Sequence, residues 1–80
     1  MPRFFLHIRD GDDLDADMVG LDLPGLQDAR AEAMRGARDI LAEQLRAGEP
    51  LSGGCVEIHD ESGQKLDVVA FREIVRFKAA

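Results

Sequence analysis

Residues 25–50, GLQDARAEAMRGARDILAEQLRAGEP, decide the fold. Leu26, Ala29, Ala33, Ala37, Ile40 and Leu41 recur at three- and four-residue spacing, and Met34 and Leu45 widen the stripe. That is the pattern of an amphipathic helix half buried against another layer. Its other face carries Arg30, Glu32, Arg35, Arg38, Asp39, Glu43 and Arg46. Glu32/Arg35 and Glu43/Arg46 stand at i,i+3 spacing, where a pair adds about 0.2–0.5 kcal/mol. Gly25 can act as the N-cap, Asp28 suits the positive end of the helix dipole, and Gly48 followed by Pro50 stops the helix.

What packs on this helix is read from period-two alternation on either side of it. Residues 3–9 place Phe4, Leu6 and Ile8 on one strand face and Arg3, Phe5, His7 and Arg9 on the other. Asp10-Gly11-Asp12-Asp13 is a turn. Residues 13–18 alternate weakly, and Asp17-Met18-Val19-Gly20 reads equally as a turn into a short extended piece at 21–23, because aspartate is poor strand material. Beyond the helix, residues 55–60 and 65–70 form a hairpin closed by Asp60-Glu61-Ser62-Gly63. Val56 and Ile58 are expected to share a core with Leu66 and Val68, with Glu57, His59 and Asp67 facing outward. The tail from Phe71 to Lys78 is expected to be helical, with Ile74 and Val75 on one side and Arg72 and Arg76 on the other. The expectation is one α+β domain over residues 1–80, ordered β-(β)-α-β-β-α: an antiparallel sheet of three to four strands on one long helix, with a short C-terminal helix.

Composition narrows the functional classes. At 80 residues the chain buries only about 60–65% of its unfolded surface, so the core is thin and self-association is an expected source of stability. No run is apolar enough to span a bilayer and no cationic leader precedes an apolar segment, so a cytoplasmic protein is expected. The single cysteine, Cys55, has no internal disulfide partner, in keeping with a reducing compartment. The net charge of −6 opposes non-specific attraction to nucleic acid or anionic lipid and favours self-association or a basic protein partner.

Candidate chemistry does not survive a test of spacing. The five aspartates Asp10, Asp12, Asp13, Asp15 and Asp17 are rich in oxygen. Taking Asp13, Asp15 and Asp17 as the first three ligands of a calcium loop, however, puts Met18 where glycine belongs and Pro24 where the bidentate glutamate belongs. Cys55 and His59 share a strand face but lie about 13 Å apart at about 3.3 Å per residue. His7 can approach His59 if the first and third strands are neighbours, yet two histidines make an incomplete metal site. Ser52 and Ser62 sit in glycine-containing turns without a local base, and Cys55 reads as a small apolar residue. Leu51-Ser52-Gly53-Gly54 precedes a strand and so is no helix-opening phosphate loop. No catalytic residue, metal or cofactor is assigned.

The outer face of the first strand, Arg3, Phe5, His7 and Arg9, is the candidate interaction surface, together with Arg72 and Arg76 of the tail. An exposed aromatic among cations can stack bases and meet phosphates. The competing account covers Phe5 with the terminal helix or a second copy and pairs the arginines with the abundant acids. One aromatic and a negative net charge favour that account.

Phe4-Phe5-Leu6-His7-Ile8-Arg9-Asp10-Gly11, Gly20-Leu21-Asp22-Leu23-Pro24, the Asp28 to Ala33 helix start, Leu51-Ser52-Gly53 and the Asp60 to Gly63 hairpin together resemble a family of short bacterial proteins catalogued as a domain of unknown function, number 6894. The resemblance covers nearly the whole chain and implies no established activity. Gly25 departs from it, standing where such sequences often offer a capping aspartate. Leu23-Pro24-Gly25 before an alanine-rich helix is also similar to HicB-type antitoxins, though those usually have a longer insert there and often a DNA-binding tail. That likeness implies a module that occludes a basic toxin. Taken together, the expectation is a non-enzymatic, homodimeric protein-interaction module; the alternative is a small-ligand or RNA-binding regulator using the first-strand face.

Overall fold

The computed structural model describes residues 1–79. Its elements run in the order β1 (Arg3–Asp10), β2 (Asp13–Asp15), β3 (Leu21–Asp22), α1 (Leu26–Ala47), β4 (Cys55–His59) and β5 (Lys65–Ala70), followed by a 3-10 turn at Phe71–Glu73. The fold is α+β: one antiparallel sheet in the order β2-β1-β4-β5, with β3 also paired to β1, and α1 across one face.

The helix has the bounds its caps dictate. Gly25 stands at the N-cap without a side-chain bond, and Gly48 takes the left-handed conformation at φ 71°. The N–H groups of Gly48 and Glu49 return to the carbonyls of Leu45 and Gln44, which satisfies two of the carbonyls in the last turn. The buried stripe of α1 is Ala29, Ala33, Ala37 and Leu41. Its small side chains let the helix lie close to the sheet, which supplies the bulk: Phe4, Val56, Ile58 and Val69, with Phe71 beyond β5. Leu6 and Ile8 pack against this core, as the alternation of β1 predicts.

The weak second strand resolves into two short ones. Residues 13–15 pair with Ile8 to Asp10 and residues 21–22 with Arg3 and Phe4, and the turn read at 17–20 lies between them.

Two expectations are corrected. Leu66 and Val68 do not form the core side of β5. Pairing shifts between Ile58 and His59, so that Leu66 is the extra residue of a bulge. Asp67 then lies opposite Ile58 on the helix side, Val68 opposite Glu57 on the other side, and Val69 in the core opposite Val56. A one-residue shift reverses every side chain of a strand, and the adjacent Val68 and Val69 allow either frame. The expected C-terminal helix over 71–78 is reduced to the single turn at Phe71–Glu73. Glu73 is held there by accepting from the Ala70 N–H and pairing with Arg30, and β-branched Ile74 and Val75 follow. Ile74 and Val75 pack against the core without continuing the helical path.

Candidate functional site

The face of the sheet opposite α1 has no covering element, and cross-strand pairing defines its rows. Leu14, Arg9, Cys55 and Ala70 form one row; His7, Glu57 and Val68 the next; Phe5, His59 and Lys65 the third. At its centre lies Glu57, only 5% exposed although it points away from the core. Its neighbours bury it. Arg9 donates from Nε to Oε2, and His59 Nε2 lies 3.0 Å from Oε1 while His59 Nδ1 faces the Gly63 carbonyl at 3.1 Å. His59 and Arg9 together hold the Glu57 carboxyl below its ordinary range, against the opposing effect of burial.

The expected approach of the two histidines is present: their ring centroids are 4.5 Å apart. His7 accepts at Nδ1 from the Asp17 N–H at 2.9 Å, which makes it the Nε2–H tautomer. No group of three metal-ligating side chains comes together among the described residues.

The face is bounded on one side by the loop at 17–20. Asp17 Oδ1 accepts from the N–H groups of Val19 and Gly20, and Oδ2 from that of Leu6. Burial alone would push this carboxyl up, but the amides of Gly20, Val19 and Leu6 outweigh it and hold the group low. Gly20 has φ 81°, and a Cβ there would meet Arg3 Cγ at 2.8 Å and Phe5 Cε1 at 2.9 Å. The loop therefore rests on the side chains of the bare face, and Phe5 is half buried beneath it instead of being free to stack.

Of the residues singled out from sequence, Phe5, His7 and Arg9 share this face with Glu57 and His59. Arg3 lies at its end, paired with Asp22 at 2.8 Å. Arg72 and Arg76 sit in the exposed tail, without an ion pair among the described residues. Cys55 joins the Arg9 row, where burial first and the Glu57 carboxylate second push its thiol up, away from the reactive thiolate. Sequence reasoning missed Glu57 as the centre of the site, along with Asp17 and Val68. The available signal was a lone carboxylate between Val56 and Ile58, two residues from a histidine.

The far edge of the sheet is closed. Val68 N–H donates to Asp67 Oδ1 and Ala70 N–H to Glu73 Oε2, while Arg30 reaches the Val68 carbonyl, Asp67 and Glu73. Side chains thus occupy backbone groups that an added strand would need. No helix among the described residues is long and apolar enough to cross a membrane.

Comparison with curated proteins and with solved structures finds no match to either. A family model does match, over residues 3–72, which takes in every strand and the whole of α1. The chain belongs to the family described as Domain of unknown function (DUF6894).

Proposed function

We propose that this protein is a non-enzymatic interaction module that self-associates through the bare face of its sheet. The observation that carries this is the internal neutralisation of the face. Arg9 and His59 are engaged by the buried Glu57, and what remains exposed includes Leu14 at 44% and Val68 at 37%. Apolar side chains around a satisfied polar centre suit a second protein surface.

The same geometry weighs against the RNA-binding or small-ligand regulator. Arg3 and Arg9, the cations of the first strand, are engaged with Asp22 and Glu57, and Phe5 lies under Gly20. A phosphate would have to compete with carboxylates already in place, in a chain of net charge −6.

Sedimentation equilibrium over a range of concentrations tests the proposal. The wild type is expected to dimerise and Val68→Glu to shift towards monomer without loss of fold. A wild type that stays monomeric at high concentration, or tight RNA binding with a steep salt dependence that Arg9→Ala flattens, overturns it.

A further inference from the structure

We propose that His7 and His59 form a pH-sensitive latch on the 17–20 loop, shut while His7 is neutral and opened when His7 takes up a proton at Nδ1. The latch goes beyond self-association and does not depend on it.

Hydrogen bonding gives the two histidines different protonation states. Both ring nitrogens of His59 face groups that can only accept: Nε2 lies 3.0 Å from Glu57 Oε1 and Nδ1 3.1 Å from the Gly63 carbonyl. A neutral imidazole has one donor nitrogen and would set a lone pair against one of these oxygens. Arg9 donates to the other Glu57 oxygen, and His59 and Arg9 hold that carboxyl low, so Glu57 is ionised and has no proton to offer. His59 therefore carries two N–H groups and is the imidazolium. His7 is the reverse case. Its Nδ1 accepts from the Asp17 N–H at 2.9 Å, so that nitrogen is bare and the ring neutral. The two rings stand 4.5 Å apart, tilted by 54°. Of two adjacent histidines, only one is charged.

A proton on His7 Nδ1 turns that acceptor into a donor that faces another donor. The bond from Asp17 N–H is then lost. Of the side-chain hydrogen bonds that tie residues 17–20 to β1 it is the shortest, against 3.2 Å from Leu6 N–H to Asp17 Oδ2 and 3.4 Å from Arg3 Nη1 to the Val19 carbonyl. Gly20 rests on Arg3 and Phe5, so a loop that lifts uncovers the phenylalanine of the bare face. The open loop holds one proton more than the shut loop, so falling pH opens it and rising pH shuts it.

The surroundings leave His7 as the group that switches. Facing it are Asp17 from the loop, Glu57 and the His59 imidazolium from β4, and Arg9 from its own strand, with Lys65 of β5 paired beyond His59. The other neighbours add no charge on this side: Val68 is apolar, and Asp13 and Asp15 of β2 pair with Asp10 and Ile8 and turn to the helix side. The carboxylates favour a second proton and the cations oppose it. Burial presses the Asp17 carboxyl up, but the amides of Gly20, Val19 and Leu6 hold it low. Neither Asp17 nor Glu57 therefore changes charge where imidazole does, at about pH 5 to 8.

The test is an NMR titration of the 15N-labelled wild-type protein from about pH 8 to 5. At the upper end both His59 nitrogens are expected to carry protons and His7 to be the Nε2–H tautomer. As pH falls, the amide signals of Asp17, Val19 and Gly20 are expected to move with the His7 midpoint, and the Asp17 amide to lose at least about tenfold of its protection against exchange. His7→Asn puts an amide oxygen where Nδ1 stands but cannot titrate, so its loop signals are expected to stay flat. His59→Gln keeps a donor for Glu57 without the charge and is expected to raise the His7 midpoint by at least about half a pH unit. A neutral His59, an Nδ1–H His7, or loop amides that ignore the His7 midpoint overturns the latch. So does a loop in His7→Asn that still responds over the same range.

Discussion

Glu57 and Arg9 form an ion pair on the side of the sheet that no helix covers, and the carboxylate is nonetheless only 5% exposed. Cross-strand neighbours do the burying: Arg9 and His59 lie over it as a lid of side chains. A charge removed from water in this way must stay paired. The consequence is a pH dependence. The Glu57 carboxyl lies below its ordinary value of 4.5 when folded, so the unfolded chain binds its proton more readily. Its contribution is complete above about pH 4.5 and is lost as pH falls through the lower folded value. Glu57→Gln is expected to cost about 1–3 kcal/mol at neutral pH and to make the acid limb shallower. Urea unfolding at stepped pH values reads both effects. An unchanged acid limb contradicts the assignment.

Gly54 lies against the backbone of Arg9 and Asp10 at the end of β1, just before β4 pairs with that strand. A Cβ there would lie far inside van der Waals contact with the Arg9 carbonyl oxygen, whereas nothing stands within 4 Å of one at Gly53. Gly54→Ala is expected to destabilise by about 3 kcal/mol, since backbone and not a yielding side chain must move. Gly53→Ala is expected to stay within about 0.5 kcal/mol of wild type. Thermal melts of the pair decide this; equal effects would mean the approach to Arg9 is loose.

Phe71 ends the core although it lies beyond the last strand, at 1% exposure, with its N–H donating to the Gly54 carbonyl at 3.0 Å. Phe71→Ala is expected to cost about 3–5 kcal/mol, a large share of the stability of so small a domain. Phe77, six residues on, is 90% exposed, and Phe77→Ala is expected to change stability by less than about 0.5 kcal/mol. Chemical denaturation of the two variants measures the contrast.

Arg30 bridges α1 to the outer edge of β5 through Asp67, Glu73 and the Val68 carbonyl. The pairs are partly exposed, so Arg30→Ala is expected to cost no more than about 1 kcal/mol. Its larger effect is on association, because the β5 edge is then open to another strand. Light scattering on warming should detect earlier aggregation in Arg30→Ala, with faster amide exchange at Val68 and Ala70. Wild-type behaviour would mean that Asp67 and Glu73 suffice to close the edge.

The helix and the β1 pattern were legible because cap, period and stop agree within one stretch: Leu26 to Ala47 follows from Gly25, the alanine stripe and Gly48. The hairpin position was equally legible from Asp60 and Gly63. Its facing was not, because Leu66 is a bulge residue, and a bulge depends on pairing that a single strand does not encode. The alternation of β4 places Glu57 outward, which is its side of the sheet. Its burial depends on Arg9, 48 residues away in sequence, and on His59. The sequence leaves Phe5 either exposed or covered by the terminal helix or a second copy, whereas Gly20 of the 17–20 loop lies against it. The helical spacing of the tail does not decide its path: Ile74 and Val75 pack against the core without a helix beyond Phe71–Glu73.

Native mass spectrometry of the untagged wild-type protein, alongside Val68→Glu, tests the central claim most directly. The account predicts a species at twice the chain mass for the wild type and mainly single chains for the variant. A wild type that flies as single chains at every concentration, or a variant that dimerises as well as the wild type, contradicts it.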